Sequence, residues 1–378
     1  LFSERDLDLE WAELAAFGPE VLFRQINKDL GRAYAHIWEP LEAHLAGIET
    51  VYYSGAGLLN QFPLHALYQE VEGTRQYVLD RFDIRPLSTT RLIAEGLHRR
   101  SAPLENDLLA LGGLNYDALP KVEALPAAGQ DELAFASVSQ RLLTDPTLRG
   151  GDKVEKWGYL EGTRKEVEAL QDSLREADWD VQTLTWSEGD EGSLKQRLQA
   201  DPPAVLHLAT HGYAFPNPYA DMNFDGNEGQ RTQYRIGEDP LVRTGLILSG
   251  GNHAWMGSDT LTTLTGEDGV LTAAELANMN LLETGLVVMS ACETGLGEAN
   301  GMEGTMGLFR GLKLAGVEEV VQSFWGVRDA ETKELMALFY GQLAQSLNPA
   351  AAFRSAQEEM RNTYPDEPAL WASFSLIR

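Results

Sequence analysis

Hydrophobic positions follow two spacings along this chain, and the change from one to the other divides it. Over residues 1–50, Trp11, Leu14, Phe17, Val21, Leu22, Ile26, Leu30, Tyr34 and Ile37 recur at helical spacing. Two β-like pieces follow: Thr50 to Tyr53, before the glycines at 55 and 57, and Tyr77 to Leu79. Residues 96–106 are polar, contain Pro103 and read as a link.

From there, short apolar runs alternate with amphipathic ones. Leu108 to Leu111 predicts a buried strand ending in a tight turn at Gly112 and Gly113. Thr163 and Glu166 have the spacing of a capping box, opening a helix with Val167, Leu170, Leu174 and Ala177 on one face. Strands are predicted at Val181–Thr185, Ala204–Ala209, Gly245–Leu248, Leu286–Met289 and from Val320 toward Trp325. Helices are predicted over Ser193–Gln199, after Thr272 and Glu275 (a second capping box), and over Gly304–Leu314. Two more fall at about 330–346 and 349–361, the last with Asn348 as cap and Pro349 in its first turn. No repeat recurs at a period of 20–50 residues.

Alternating strands and helices predict an α/β fold. Its mostly parallel central sheet carries helices on both faces, and a helical and β-hairpin part precedes it. Residues 1–103 form that first part and 104–378 the main unit. The 378 residues, 43% hydrophobic and 23% charged, suffice for a substantial core. A formal net charge of −27 disfavours nucleic acid and anionic membrane as direct partners. No apolar stretch approaches the ~18–20 residues of a membrane span. The residues after Leu1 lack the layout of a signal peptide, and a single cysteine suits a reducing cytosol. A chain that begins with Leu1 is expected to be an excerpt or a processed product.

That cysteine, Cys292, stands just past the predicted strand Leu286–Met289, and His211 just past Ala204–Ala209. In parallel sheets, ligands and reacting groups gather at the C-terminal ends of strands. An imidazole beside a thiol raises its thiolate fraction or takes its proton during attack. The backbone amides of Gly212 and Cys292 are candidates to hold an oxyanion. Each residue also has a structural reading, a small buried thiol and a turn histidine; their meeting at one sheet edge favours chemistry. His207 and His211 have zinc-helix spacing, but the β-like run and the absence of a nearby third ligand argue against a metal. Gly295, Gly297 and Gly301 do not match a dinucleotide loop. No metal or cofactor is expected.

Three runs carry a resemblance: His207 to Gly212 (HLATHG), Asp268 to Glu275 (DGVLTAAE), and Leu286 to Gly297 (LVVMSACETGLG). So do Val320 to Val327 (VVQSFWGV), Trp371 to Leu376 (WASFSL), Phe62 to Leu67 (FPLHAL) and Gly162 to Leu170 (GTRKEVEAL). Together these resemble the CHAT family of caspase-like peptidases, in the clan of caspases, metacaspases and separase. The resemblance implies a caspase-haemoglobinase fold and a cysteine endopeptidase, with Cys292 as nucleophile and His211 as base and later acid. It implies a protein or peptide substrate and a bacterial role in stress, defence or cell death. It also implies control by a regulatory protein or an N-terminal repeat domain outside this chain. Two departures stand out: Gly326 to Asp329 replaces the family's usual Pro-Val-Asp-Asp, and helical repeats are missing.

In this clan the residue two before the cysteine, Ser290, lines the pocket for the side chain before the cut, and Ser323 and Trp325 flank the substrate backbone. Asp221 and Asp225, with Glu228, Glu238, Asp239, Glu293, Glu298 and Glu303, load the surrounding loops with acid. Unpaired acid favours a cation, so Arg or Lys before the scissile bond is the expected preference. Asp329 is a further substrate-contact candidate, although its place suits a helix cap. The competing classes are a non-catalytic caspase-like interaction module and a thiol amidohydrolase acting on small molecules.

Overall fold

A computed structural model describes residues 30–55, 62–95, 104–119, 156–214, 241–258, 260–290, 301–323 and 329–378. Most of the helix expected over 1–50 lies outside these. From Leu30 the chain is helical, through a π-helical turn at Tyr34–Trp38 to Glu39–Glu42. Four short strands follow: β1 (Thr50–Tyr53), β2 (Tyr68–Val71), β3 (Thr74–Tyr77) and β4 (Asp83–Pro86). β2 and β3 form a hairpin whose loop residues Glu72 and Gly73 have φ of 52° and 79°. Positive φ at both loop positions matches the right-handed twist of the paired strands. β1 pairs with β4 in parallel. Tyr77 closes β3, and Val78–Asp80 is a 3-10 turn rather than strand.

The main unit runs β5 (Asp107–Leu114), α1 (Glu161–Glu176), β6 (Asp180–Trp186), α2 (Glu191–Ala200), β7 (Val205–Leu208), β8 (Gly212–Ala214), β9 (Thr244–Ile247) and β10 (Val270–Thr272). Then come α3 (Ala273–Ala277), β11 (Leu286–Met289), α4 (Gly301–Ala315), β12 (Glu319–Ser323), α5 (Asp329–Ser346), α6 (Pro349–Thr363) and β13 (Phe374–Ile377). Six strands form the central sheet in the order β13-β12-β11-β7-β5-β6. Five are mutually parallel and β13 is antiparallel at one edge. β8, β9 and β10 form a small antiparallel sheet.

Strand residues sort by parity. Leu108, Ala110, Val205, Leu286, Val288 and Val321 pack on one face with Val167 and Leu170 of α1 and Met336 and Phe339 of α5. Leu109, Leu111, Leu206, Val287, Met289 and Val320 pack on the other, with Leu194 and Leu198 of α2 and Leu308 and Leu312 of α4. Successive strand side chains point to opposite faces, so two helical layers make each strand apolar throughout. The first core also contains Trp38, Leu67, Tyr77 and Phe82, so it crosses position 103 without a break. β13 ties the two parts by backbone as well: Ser88 N donates to Arg378 O (2.6 Å), and Arg378 N to Pro86 O (3.2 Å).

Two local expectations are corrected. β5 runs through Gly112 to Leu114 with a register shift, so the glycines form a bulge inside the strand rather than its end. A Cβ on Gly113, whose φ is +63°, would lie 2.7 Å from Arg164 Cβ, and one on Gly112 2.9 Å from Thr163 O. The pair lets the first turn of α1 press on the strand. That helix begins at Glu161, not at Thr163. Thr163 Oγ1 accepts from Gly113 N (3.0 Å) and donates to Leu160 O (2.9 Å), while Glu166 points into the sheet. The second capping box, Thr272 with Glu275, is observed.

Candidate functional site

β7 and β11 are adjacent, parallel and in register, with Leu208 opposite Met289. Beyond Leu208 the chain is pinned residue by residue. Ala209 N donates to Leu111 O (2.8 Å). The Thr210 hydroxyl donates to Ile247 O (2.5 Å) and lies 3.0 Å from Tyr116 Oη. The His211 carbonyl accepts from Ile247 N (2.8 Å), and Gly212 then opens β8.

The His211 ring is 3% exposed. Its Nε2 is 2.8 Å from Gly158 O. A carbonyl can only accept, so Nε2 carries the hydrogen, and in the neutral ring Nδ1 is the basic nitrogen. Trp157 and Tyr116 pack on the ring at centroid distances of 4.8 and 5.0 Å. Trp157 is itself held: its N donates to Asn252 Oδ1 (2.9 Å) and its carbonyl accepts from Asn252 Nδ2 (3.1 Å). Asn252 thus places the Gly158 carbonyl that orients His211. Sequence reasoning missed Trp157, Gly158, Asn252 and Tyr116. The only trace was the aromatic residues interrupting a polar stretch.

Past β11, Ser290 is 4% exposed. Its N donates to Leu208 O (2.9 Å) and its hydroxyl to Glu166 Oε2 (3.0 Å). The other oxygen of Glu166 is 3.3 Å from His207 Nε2, and His207 Nδ1 is 2.9 Å from Tyr340 Oη. Both ring nitrogens of His207 therefore face protein groups on the α1–α5 side of the sheet. His207 lies in β7, not on a helix, so the zinc-helix geometry does not form.

The remaining candidates scatter. Gly212 pairs with Leu246 across the small sheet. Ser323 closes β12 opposite Phe374, two residues beyond the last β11 pairing at Val321. Asp329 opens α5. Cys292, Trp325, Asp221 and Asp225 lie outside the described residues.

Among the described residues, three carboxylates that could share a cation are Glu191, Glu267 and Glu275. The Lys195 ammonium fills that place, at 2.7, 2.7 and 3.0 Å from them. Burial alone would lower Lys195; its three partners outweigh that and hold it above its ordinary value. Burial, then the Glu191 charge, pushes Glu275 up to about 7, and burial also raises Glu191 and Asp268. Glu191 Oε2 accepts from Gly269 N (2.8 Å) and Asp268 N (3.2 Å). The knot joins α2 to β10 and α3, absorbing the Asp268–Glu275 run into support for the small sheet that begins one residue after His211.

The CHAT domain profile matches residues 27–378. The chain belongs to the CHAT family. A stretch of 112 residues, 29% of the CHAT chain, is 32% identical to tetratricopeptide repeat protein 28 of Mus musculus and spans 4% of that protein's length. Among solved structures, the Arg-specific cysteine proteinase gingipain R is similar over 96% of this chain and 69% of its own, at 7% identity and a TM-score of 0.44. Among the described residues, no helix is long and apolar enough to cross a membrane.

Proposed function

We propose that this CHAT protein is a caspase-like cysteine endopeptidase using a Cys292–His211 dyad. One observation carries the reading. β7 and β11 are neighbours in register, and His211 and Cys292 each stand three residues beyond the paired ends Leu208 and Met289. Neighbouring strands lie about 4.8 Å apart, which suits transfer of a proton between the two side chains. The Gly158 contact supports the assignment of roles, because the hydrogen it holds on Nε2 makes Nδ1 the basic nitrogen of the neutral ring.

The Cys292 thiol gives its proton to Nδ1 as sulfur attacks the peptide carbonyl. The amides of Gly212 and Cys292 receive the developing oxyanion. His211 then protonates the departing amine, and water hydrolyses the thioester with His211 again as base. The substrate is a protein, cut after a basic residue; the acid-rich loops support that preference. The tetratricopeptide name of the murine relative supports a repeat-containing regulatory region or partner, and the lone cysteine a cytoplasmic setting. The test is Cys292→Ala and His211→Ala against wild type, with candidate proteins and a peptide library. Both variants should lose at least ~10³-fold in cleavage rate. Persisting cleavage in Cys292→Ala would refute the dyad, and cleavage only after acidic or apolar residues would refute the basic preference.

A further inference from the structure

We propose that Glu166 is a positioning residue that sets the exits of β7 and β11 against each other; this rests on the dyad reading above. The carboxylate is 6% exposed and reaches both strands. It accepts from the hydroxyl of Ser290, two residues before Cys292, and faces Nε2 of His207, four residues before His211. Its Oε1 lies 3.3 Å from His207 Nε2, an ion-pair distance without hydrogen-bond geometry. On the other side of the ring, His207 Nδ1 is 2.9 Å from the hydroxyl of the fully buried Tyr340. These contacts join α1, β7, β11 and α5 at the ends of β7 and β11. A buried polar contact such as that of Ser290 with Glu166 is costly to break, because the group left behind stays desolvated.

Cys292 is the sole cysteine, so iodoacetamide reports on it alone. Its alkylation rate is to be measured from pH 6 to 9.5 on the full chain. A correctly placed imidazole sustains the rate near neutrality; above the ordinary thiol range the free thiolate reacts without help. Glu166→Ala should lower the rate at pH 7 about tenfold or more and leave it unchanged at pH 9.5, a split that general destabilisation does not produce. Glu166→Gln should stay within about threefold of wild type. Its amide oxygen keeps an acceptor for the Ser290 hydroxyl, at nearly the volume of the carboxylate. Ser290→Ala should fall between the two, and with Glu166→Gln it carries the test if Glu166→Ala does not fold.

A wild-type profile in Glu166→Ala or Ser290→Ala overturns the proposal. So does a Glu166→Gln as slow at neutral pH as Glu166→Ala, since charge rather than hydrogen-bond geometry would then matter. If His211→Ala also labels like wild type, the dyad itself fails; if His211→Ala is slow while the Glu166 and Ser290 variants are not, only the positioning role fails.

Discussion

Replacing Lys195 with methionine keeps much of the stem and removes the charge at the centre of the knot. Three carboxylates then lose an ammonium that stood 2.7–3.0 Å away, and Glu191 is 1% exposed at its side chain. Removing one partner of a buried ionic set costs about 3–5 kcal/mol, because the remaining charges stay desolvated. We expect a loss of that size at pH 7.5, read by urea denaturation followed by tryptophan fluorescence. The loss should shrink on acidification. Glu275 holds its proton up to about 7 in the folded chain, against an ordinary value of 4.5. A carboxyl raised by folding contributes stability that is fully present below about pH 4.5 and fades as pH climbs through 7. Without Lys195 the carboxyls are raised further, so Lys195→Met should recover most of its deficit near pH 5. A loss under about 1 kcal/mol at pH 7.5, or a deficit that widens in acid, would refute the reasoning.

Burial pushes His65 down to about 4 from an ordinary 6.5. The folded state therefore sheds a proton that the unfolded chain keeps, and stability should fall by about 3 kcal/mol as pH drops from 6.5 through 4. His65→Leu should flatten that limb in a pH series of melts. Gly245→Ala would put a Cβ 2.6 Å from Leu271 O and 2.7 Å from Tyr213 Cε1; we expect about 1–3 kcal/mol of destabilisation in chemical denaturation. Trp157→Ala unpacks the ring against His211 and loosens the Gly158 carbonyl. Cys292 alkylation at pH 7 should slow several-fold, more than in an Ala variant of the exposed Leu282.

Much of the fold was legible because parallel strands between two helical layers are apolar throughout, and the runs at Leu108, Val205 and Leu286 stand out. Capping shows where local reading stops. Thr163/Glu166 and Thr272/Glu275 carry the same spacing, yet only the second caps its helix. At the first, a strand amide 50 residues away takes the threonine oxygen, and Ser290, 124 residues away, takes the carboxylate. No local pattern encodes such partners. His211 announced itself by its place after a strand. The groups that orient it, the Gly158 carbonyl and the Asn252 side-chain amide on the Trp157 backbone, lie 53 and 95 residues from their partners and follow no local pattern.

The strand β13 has a consequence for how the chain reaches this state. It completes the sheet edge beside β12 and, through Pro86, Ser88 and Arg378, joins it to the first part of the chain. Those bonds close a loop of nearly three hundred residues. Contacts of such separation form late and slowly, because chain entropy is spent before they return any stability. During synthesis, β12 and β4 must wait with open edges until residues 374–378 emerge. In a chain of this length that interval is when strand edges invite wrong partners. The same latch that finishes the native sheet is therefore the step at which assistance by a chaperone would matter most.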